Sequence, residues 1–181
     1  VAAVDHGPQA PSISISRMAV TCGVELNNAM ASAVNVLAGI HGGAGQQCME
    51  IYADVARRMD AGEPIGQAVE VALDAWVAEN GKVIPGFGHR FHPIDPRSGR
   101  LLALTEAARD KGAVSGRYVD IGREVERVLE RRKGKRIPMN IDGATAVIYA
   151  ELGFAPELGR GLFILSRSVG ILSHAWEQHQ Q

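Results

Sequence analysis

"PIGQAVEVALDAWVAENG", residues Pro64–Gly81, places Ile65, Ala68, Val69, Ala72, Leu73 and Trp76 at i, i+3, i+4, i+7, i+8 and i+11. That spacing puts six apolar side chains on one face of an α-helix. Pro64 suits the first turn and Gly81 suits the end, because proline fixes a helical φ and glycine accepts the left-handed turn that stops a helix. Working outward, Tyr118, Ile121, Val125, Val128 and Leu129 mark a second amphipathic helix that ends in the basic run Arg131–Arg136. "VELNNAMASAVNVLAGI", residues 24–40, reads as a helix rich in small residues. From Pro156 the chain is apolar almost all round, as expected of a helix buried in a larger body. No stretch alternates cleanly over five or more residues, so the fold class is all-α.

Composition agrees with a folded core: 46% of the 181 residues are hydrophobic and 22% are charged. The net charge of −1 gives no global attraction to nucleic acid or to a membrane surface. There is no run of eighteen apolar residues, so no transmembrane span is expected. No basic-then-apolar leader opens the chain, so the expected location is cytoplasmic. Cys22 and Cys48 fit no metal or redox spacing and read as ordinary buried thiols in a reducing compartment.

Polar, glycine-flanked segments interrupt the helices, each with a titratable group. They are "VDHGP" at 4–8, "GIHGGAG" at 39–45, "PGFGHRFHPIDPR" at 85–97 and "PMNIDGATAV" at 138–147. Two imidazoles and a carboxylate, His41, His89 and Asp142, form a candidate set for proton transfer at carbon. The carboxylate would remove a proton beside a carbonyl while the histidines donate to oxygens that gain charge. Arg97 and Arg167 would grip carboxylates in bidentate fashion. Plainer readings stand beside these. His41 taken alone is more often a helix cap or a satisfied loop residue, and Asp142 alone reads as an N-cap. His92 and His174 read as structural or surface residues, and "RRKGKR" as a solvated helix end. A zinc site from His6, His41, His89 and Asp142 lacks short ligand spacing, so no metal is expected.

The segments "VDHGPQAPS", "AGIHGGAGQQCMEIY", "PGFGHRFHPIDPR", "NIDGATAV" and "LSRSVGILSHAWEQ" resemble, in order, signature segments of the citrate synthase superfamily. In motif detail the chain is most similar to citryl-CoA lyases and the lyase module of ATP-citrate lyase, through "VDHGP" and the glycine of "NIDG". The resemblance implies an all-helical fold, with residues 42–147 as a small domain and residues 1–41 and 148–181 as part of a large one. It implies that His41 holds the acetyl-CoA thioester oxygen, that Asp142 takes the methyl proton and that His89 polarises the oxaloacetate ketone. His6, Arg97 and Arg167 match groups that bind the dicarboxylate. Ile84, Pro85, Gly86, Phe87 and Gly88 match the segment that meets coenzyme A, with Arg90, Lys133, Lys135 and Arg136 as candidate cations for its phosphates. No cofactor is implied beyond the CoA thioester as substrate; the partners implied are that thioester, an oxaloacetate- or citrate-type dicarboxylate and a second copy in a homodimer. Family members also draw a substrate-binding arginine from the partner subunit, beyond the "SRSVG" helix. The expected activity is citryl-CoA cleavage. Citrate or 2-methylcitrate synthesis, a non-catalytic helical module and a metal-dependent hydrolase stand as alternatives.

Overall fold

A computed structural model describes residues 2–89 and 92–181. Among them run eight helices: α1 (Pro11–Thr21), α2 (Leu26–Asn35), α3 (Ala44–Asp60), α4 (Ile65–Asn80), α5 (Ser98–Asp110), α6 (Arg117–Lys133), α7 (Ile141–Glu151) and α8 (Pro156–His179). The only strand-like pairing among the described residues is an isolated antiparallel bridge between Phe87 and Met139. No described helix is long and apolar enough to cross a membrane. The chain divides into two compact units, residues 44–159 and residues 1–43 with 160–181. The sequence reading changes unit after residue 147; here the unit runs on to Gly159, which lies against α3, a Cβ there falling 2.6 Å from Met49 Sδ.

In the unit of residues 44–159, α3 packs on α4, α6 and α7, and α5 packs on α6 and α7. The periodic faces of α4 and α6 do what their spacing predicts: Ala68, Val69, Ala72 and Leu73 are buried, as are Ile121, Val125, Val128 and Leu129. They meet Cys48, Met49, Tyr52 and Val55 of α3 and Ala144, Ala146 and Val147 of α7 in one core. Each large apolar side chain so buried contributes about 1.5–3 kcal/mol. Gly81 and Gly134, both at positive φ, end α4 and α6. The N-terminus of α6 is closed from a distance, since the Glu151 carboxylate accepts from the backbone N–H groups of Gly116 and Tyr118 at 2.9 and 2.6 Å. A carboxylate there answers both the unpaired donors and the positive end of the helix dipole.

In the other unit, α1 packs on α2. Ala10, Ile13, Ala33, Leu37 and Ile171 form its core, with Phe163 and Ile164 packed against it. The N-terminal segment lies on α8: the carbonyl of Val4 comes so close to Gly170 that a Cβ there would sit 2.3 Å from it. Three sequence expectations change. The small-residue helix stops at Asn35, short of residue 40, and Cys22, expected to be buried, is exposed at the C-terminus of α1. The apolar circumference of α8 is also only partly covered, with Leu165, Val169, Leu172 and Trp176 exposed, because the core takes the opposite side of the helix.

In the larger unit two glycine backbones meet with no side chain between them. Gly86, at φ +83°, faces Gly143; a Cβ on Gly86 would lie 2.6 Å from Cys48 Sγ, and one on Gly143 would lie 2.4 Å from the Gly86 carbonyl oxygen. Gly86→Ala should therefore cost about 2–5 kcal/mol, from the left-handed backbone and overpacking together. Gly62→Ala, at φ +95° with nothing within 4 Å, should cost only the backbone share, about 1–2 kcal/mol. Urea unfolding of the two variants measures the difference, and equal losses would mean that the Gly86–Gly143 approach is not under constraint.

Candidate active site

The sequence-predicted residues fall in two sets, one carried by each unit. His6, His41 and Arg167 belong to residues 1–43 and 160–181, whereas His89, Arg97 and Asp142 belong to residues 44–159. Among the described residues no group of three or more His, Cys, Asp or Glu side chains is placed to hold a metal ion.

His41 sits in the turn after α2, which is kept tight by its glycines. A Cβ on Gly43 would lie 2.4 Å from the Gly39 carbonyl oxygen, and the Ala38 N–H donates to the His41 carbonyl at 2.8 Å. Ser12, in the first turn of α1, donates its backbone N–H to His41 Nε2 at 3.2 Å, and its Oγ lies 3.0 Å from the same nitrogen. That N–H is one of the donors a helix start leaves without an internal partner. A ring nitrogen that accepts carries no proton, so the neutral imidazole has its proton on Nδ1. His41 is thus a cap, but of α1, twenty-nine residues away in sequence. Its pKa lies below the usual histidine value because burial disfavours the charged ring, and the nearby cations Arg167 and His6 add to the effect. The result is a neutral histidine that donates from Nδ1, a group suited to an oxygen that gains negative charge.

Arg167 is only 4% exposed; its Nε donates to the Ala3 carbonyl at 3.0 Å and its guanidinium lies over the Phe163 ring, 4.7 Å from the centroid. His6 is exposed. His174, which the sequence reading gives as a structural or surface residue, meets the Asp5 carboxylate at 3.2 Å.

In the larger unit the loop at 85–97 is fastened to the start of α7. The Gly88 N–H donates to the Pro138 carbonyl at 2.8 Å and the Asn140 N–H to the Gly86 carbonyl at 2.9 Å. Asn140 Nδ2 donates to the Gly88 carbonyl at 2.7 Å, while Asn140 Oδ1 accepts from the N–H groups of Asp142 and Gly143 at 2.9 and 3.2 Å. Asn140, not Asp142, is therefore the N-cap of α7; Asp142 is the second residue of the helix, where the dipole favours its charge. Asp95 is 1% exposed and takes the Arg97 guanidinium in a fork, Nε to Oδ1 at 3.0 Å and Nη2 to Oδ2 at 2.9 Å. Oδ2 also accepts the Ile141 N–H at 3.0 Å and lies 4.0 Å from His89 Nε2. Burial alone would raise the Asp95 pKa, but hydrogen bonds from Arg97 and the Ile141 backbone outweigh it and hold the carboxyl at about 2. His89 Nδ1 accepts the His92 N–H at 3.1 Å, so the neutral ring carries its proton on Nε2.

The residues read for coenzyme A divide. Ile84, Pro85, Gly86 and Phe87 are buried, and the Gly86 and Gly88 backbone groups are engaged with residues 138–140. Lys133, Lys135 and Arg136 are exposed, whereas Arg131 and Arg132 pair with Glu70 and Asp74 of α4. Arg90 lies outside the described residues. Asp95, Asn140 and Ser12 carry no role in the sequence reading. Of these, Asn140 had a local signal, an amide side chain directly before an apolar helix start.

The whole chain, residues 1–181, matches the family model described as citrate synthase, C-terminal domain. It is 29% identical over 178 residues to the citrate synthase of Haloferax volcanii, an alignment covering 97% of this chain and 44% of that protein. It is 33% identical over 150 residues to the citrate synthase of Acidithiobacillus ferridurans, covering 81% and 36% respectively. The chain thus spans less than half the length of these curated relatives. Among solved structures, citryl-CoA lyase from Hydrogenobacter thermophilus aligns with a TM-score of 0.82 at 31% identity, over 100% of this chain and 66% of that one. Citrate synthase from Thermoplasma acidophilum shares the fold, with a TM-score of 0.76 at 24% identity over 97% and 45% of the two chains.

The His41 environment has a measurable consequence. Because its folded pKa is depressed, the unfolded chain takes up this proton first as pH falls. Stability is full above the ordinary histidine value of about 6.5 and declines below it until the folded pKa is passed. In an NMR titration the His41 imidazole should show a midpoint below about 6.5, and Arg167→Met should move that midpoint upward. A His41 midpoint at or above the ordinary value would remove the basis for a neutral donor.

Proposed function

We propose, from the premise that this chain belongs to the citrate synthase family, that its protein makes or breaks the carbon–carbon bond between the acetyl-CoA methyl group and the oxaloacetate carbonyl. The observation that carries this reading is the fastening of the 85–97 loop to the start of α7. Hydrogen bonds there link a proton-bearing histidine to the His92 backbone, orient an arginine and tie its carboxylate partner to the helix start that carries Asp142. In the condensing direction the Asp142 carboxylate takes a methyl proton, and the enolate oxygen is held by the Nδ1–H of His41. The enolate carbon attacks the ketone carbon, whose oxygen receives a proton from Nε2 of His89. Cleavage is the same path reversed and starts from the state that condensation leaves, with His89 Nε2 unprotonated and Asp142 protonated: the hydroxyl proton returns to His89, the carbon–carbon bond breaks, and Asp142 returns its proton to the methylene carbon. Arg97, Arg167 and His6 bind the dicarboxylate, while Lys133, Lys135 and Arg136 meet the CoA phosphates.

The direction we favour is citryl-CoA cleavage to acetyl-CoA and oxaloacetate. It is supported by the similarity to citryl-CoA lyase over the full chain, together with "VDHGP" and "NIDG". The second reading, citrate synthesis, is favoured by the names of the curated relatives. Supplied with citryl-CoA, a lyase yields acetyl-CoA and oxaloacetate with no free thiol, whereas a synthase hydrolyses the thioester and releases CoA to a thiol reagent. The protein also pairs as a homodimer on this reading, supported by Leu165, Val169, Leu172 and Trp176, which are exposed along one face of α8. Light scattering at micromolar concentration should give the dimer mass; a monomer independent of concentration counts against it.

Asp142→Asn keeps the shape of the side chain and removes the base. Exchange of acetyl-CoA methyl protons with deuterated solvent, followed by NMR beside a dicarboxylate analogue, should slow by about 10²–10⁴-fold while CoA affinity holds. Unchanged exchange would leave Asp142 as a first-turn helix residue only.

A further inference from the structure

Among the buried ionisable groups that the proposed chemistry does not use, Asp95 has the densest set of functional neighbours. Its carboxylate accepts two hydrogen bonds from the Arg97 side chain, one from the Arg97 backbone at 3.0 Å and one from the Ile141 N–H at 3.0 Å, and it lies 4.0 Å from His89 Nε2. All these neighbours are, or directly precede, residues to which the proposed reading gives a role. Joining the loop to α7 does not require Asp95. Asn140 already makes two hydrogen bonds to the loop backbone and caps the helix. What Asp95 adds is direction: a guanidinium held at two of its N–H groups by one planar carboxylate has a fixed plane, and the same carboxylate fixes the residue before Asp142.

We propose that Asp95 is a positioning residue that sets the plane of the Arg97 guanidinium and the entry of α7, so that dicarboxylate recognition and proton abstraction are registered by one buried carboxylate. The inference rests on the reading that Arg97 grips the dicarboxylate and Asp142 is the base. Asp95 itself touches no substrate; it acts through Arg97 and Ile141. Substitution therefore falls on the dicarboxylate and on turnover, and spares the CoA ester.

The test is a double-mutant cycle in the full chain, with steady-state rates for oxaloacetate and acetyl-CoA. Asp95→Asn keeps the volume and an acceptor for Ile141 but loses the charge and the fork. It should raise the oxaloacetate KM by about tenfold or more, since hydrogen bonds to charged groups carry effects of that order, and leave the acetyl-CoA KM within about twofold. In an Arg97→Met background the same change should alter the oxaloacetate KM by no more than about twofold, because the group it orients is gone. Asn140→Ala, which loosens the loop without touching Arg97, should lower stability and kcat but leave the ratio of the two KM values unchanged. A shift in that ratio as large as that from Asp95→Asn would assign the effect to loop order and overturn the proposal. So would an unchanged oxaloacetate KM in Asp95→Asn, or the same factor in both backgrounds. If Arg97→Met alone leaves the oxaloacetate KM unchanged, the reading of Arg97 fails and the proposal with it, a result distinct from failure of Asp95 alone. Should Asp95→Asn not fold, Asp95→Glu retains the charge on a side chain one methylene too long to serve Arg97 and Ile141 together, and should show the same KM split. Loss of fold in both variants marks Asp95 as structural and overturns the proposal.

Discussion

A helix begins with N–H groups that have no partner inside it, and in each unit of this protein that deficit is met by a residue of the candidate chemistry or its neighbour. At α7 the Ile141 N–H goes to Asp95 and those of Asp142 and Gly143 go to Asn140. At α1 the Ser12 N–H goes to His41. The placement of Asp142, Arg97 and His41 follows from these bonds, because a buried donor left unpaired costs about 1–3 kcal/mol. The functional side chains are therefore held by the same obligation that lets the helices start.

The two caps solve opposite electrostatic problems. At α1 the capping group accepts through a nitrogen that must stay unprotonated, and burial beside Arg167 and His6 keeps it so. At α7 the group is a carboxylate with essentially no exposure, and a bare charge in that position would be untenable. Arg97 and the backbone donors keep Asp95 ionised, at about 2. One environment lowers the proton affinity of a base chiefly by burial, with the nearby Arg167 charge adding to it, and the other lowers that of a carboxylate by pairing the anion. One favours the neutral His41 ring and the other the ionised Asp95 carboxylate, which suits a path in which protons pass through Asp142 and His89.

Legibility in the sequence followed the chemistry of the buried faces. α4 and α6 were readable because their buried residues are apolar at regular spacing, and Gly81 marked the end of α4 correctly. α1 was not readable, because its buried residues are Ser12, Ile13 and Ser16; serines on the inner face erase the hydrophobic period. α3 has a regular buried face, from Cys48 and Met49 through Tyr52 to Val55 and Ala56, but its first turn lies inside a glycine-rich motif whose residues read as a turn. At the site, residue types were legible and partnerships were not. The cap that Asp142 suggests in the sequence belongs to Asn140, and nothing local marks Asp95 inside "DPR", since a contact to Ile141, forty-six residues on, leaves no trace in local pattern.

The 85–97 loop shows why such partnerships matter for what the chain can tolerate. Its glycines admit a backbone approach that no Cβ would permit, with Gly86 against Gly143 and Cys48. The Cys48 thiol is pushed up to about 12, chiefly by burial with the Asp142 charge adding to it, so the atom wedged behind Gly86 is a neutral packing group. Ile84 and Phe87 contribute to the core, while the Gly86 and Gly88 polar groups serve the α7 entry. Gly86, Gly88, Asp95 and Arg97, each held by hydrogen bonds, lose little freedom when a ligand arrives, and that is the condition under which side chains act at fixed distances. The same fastening means that a change in the loop perturbs the α7 entry as well. Stability and chemistry at this end of the molecule are therefore coupled through backbone hydrogen bonds rather than through any single side chain.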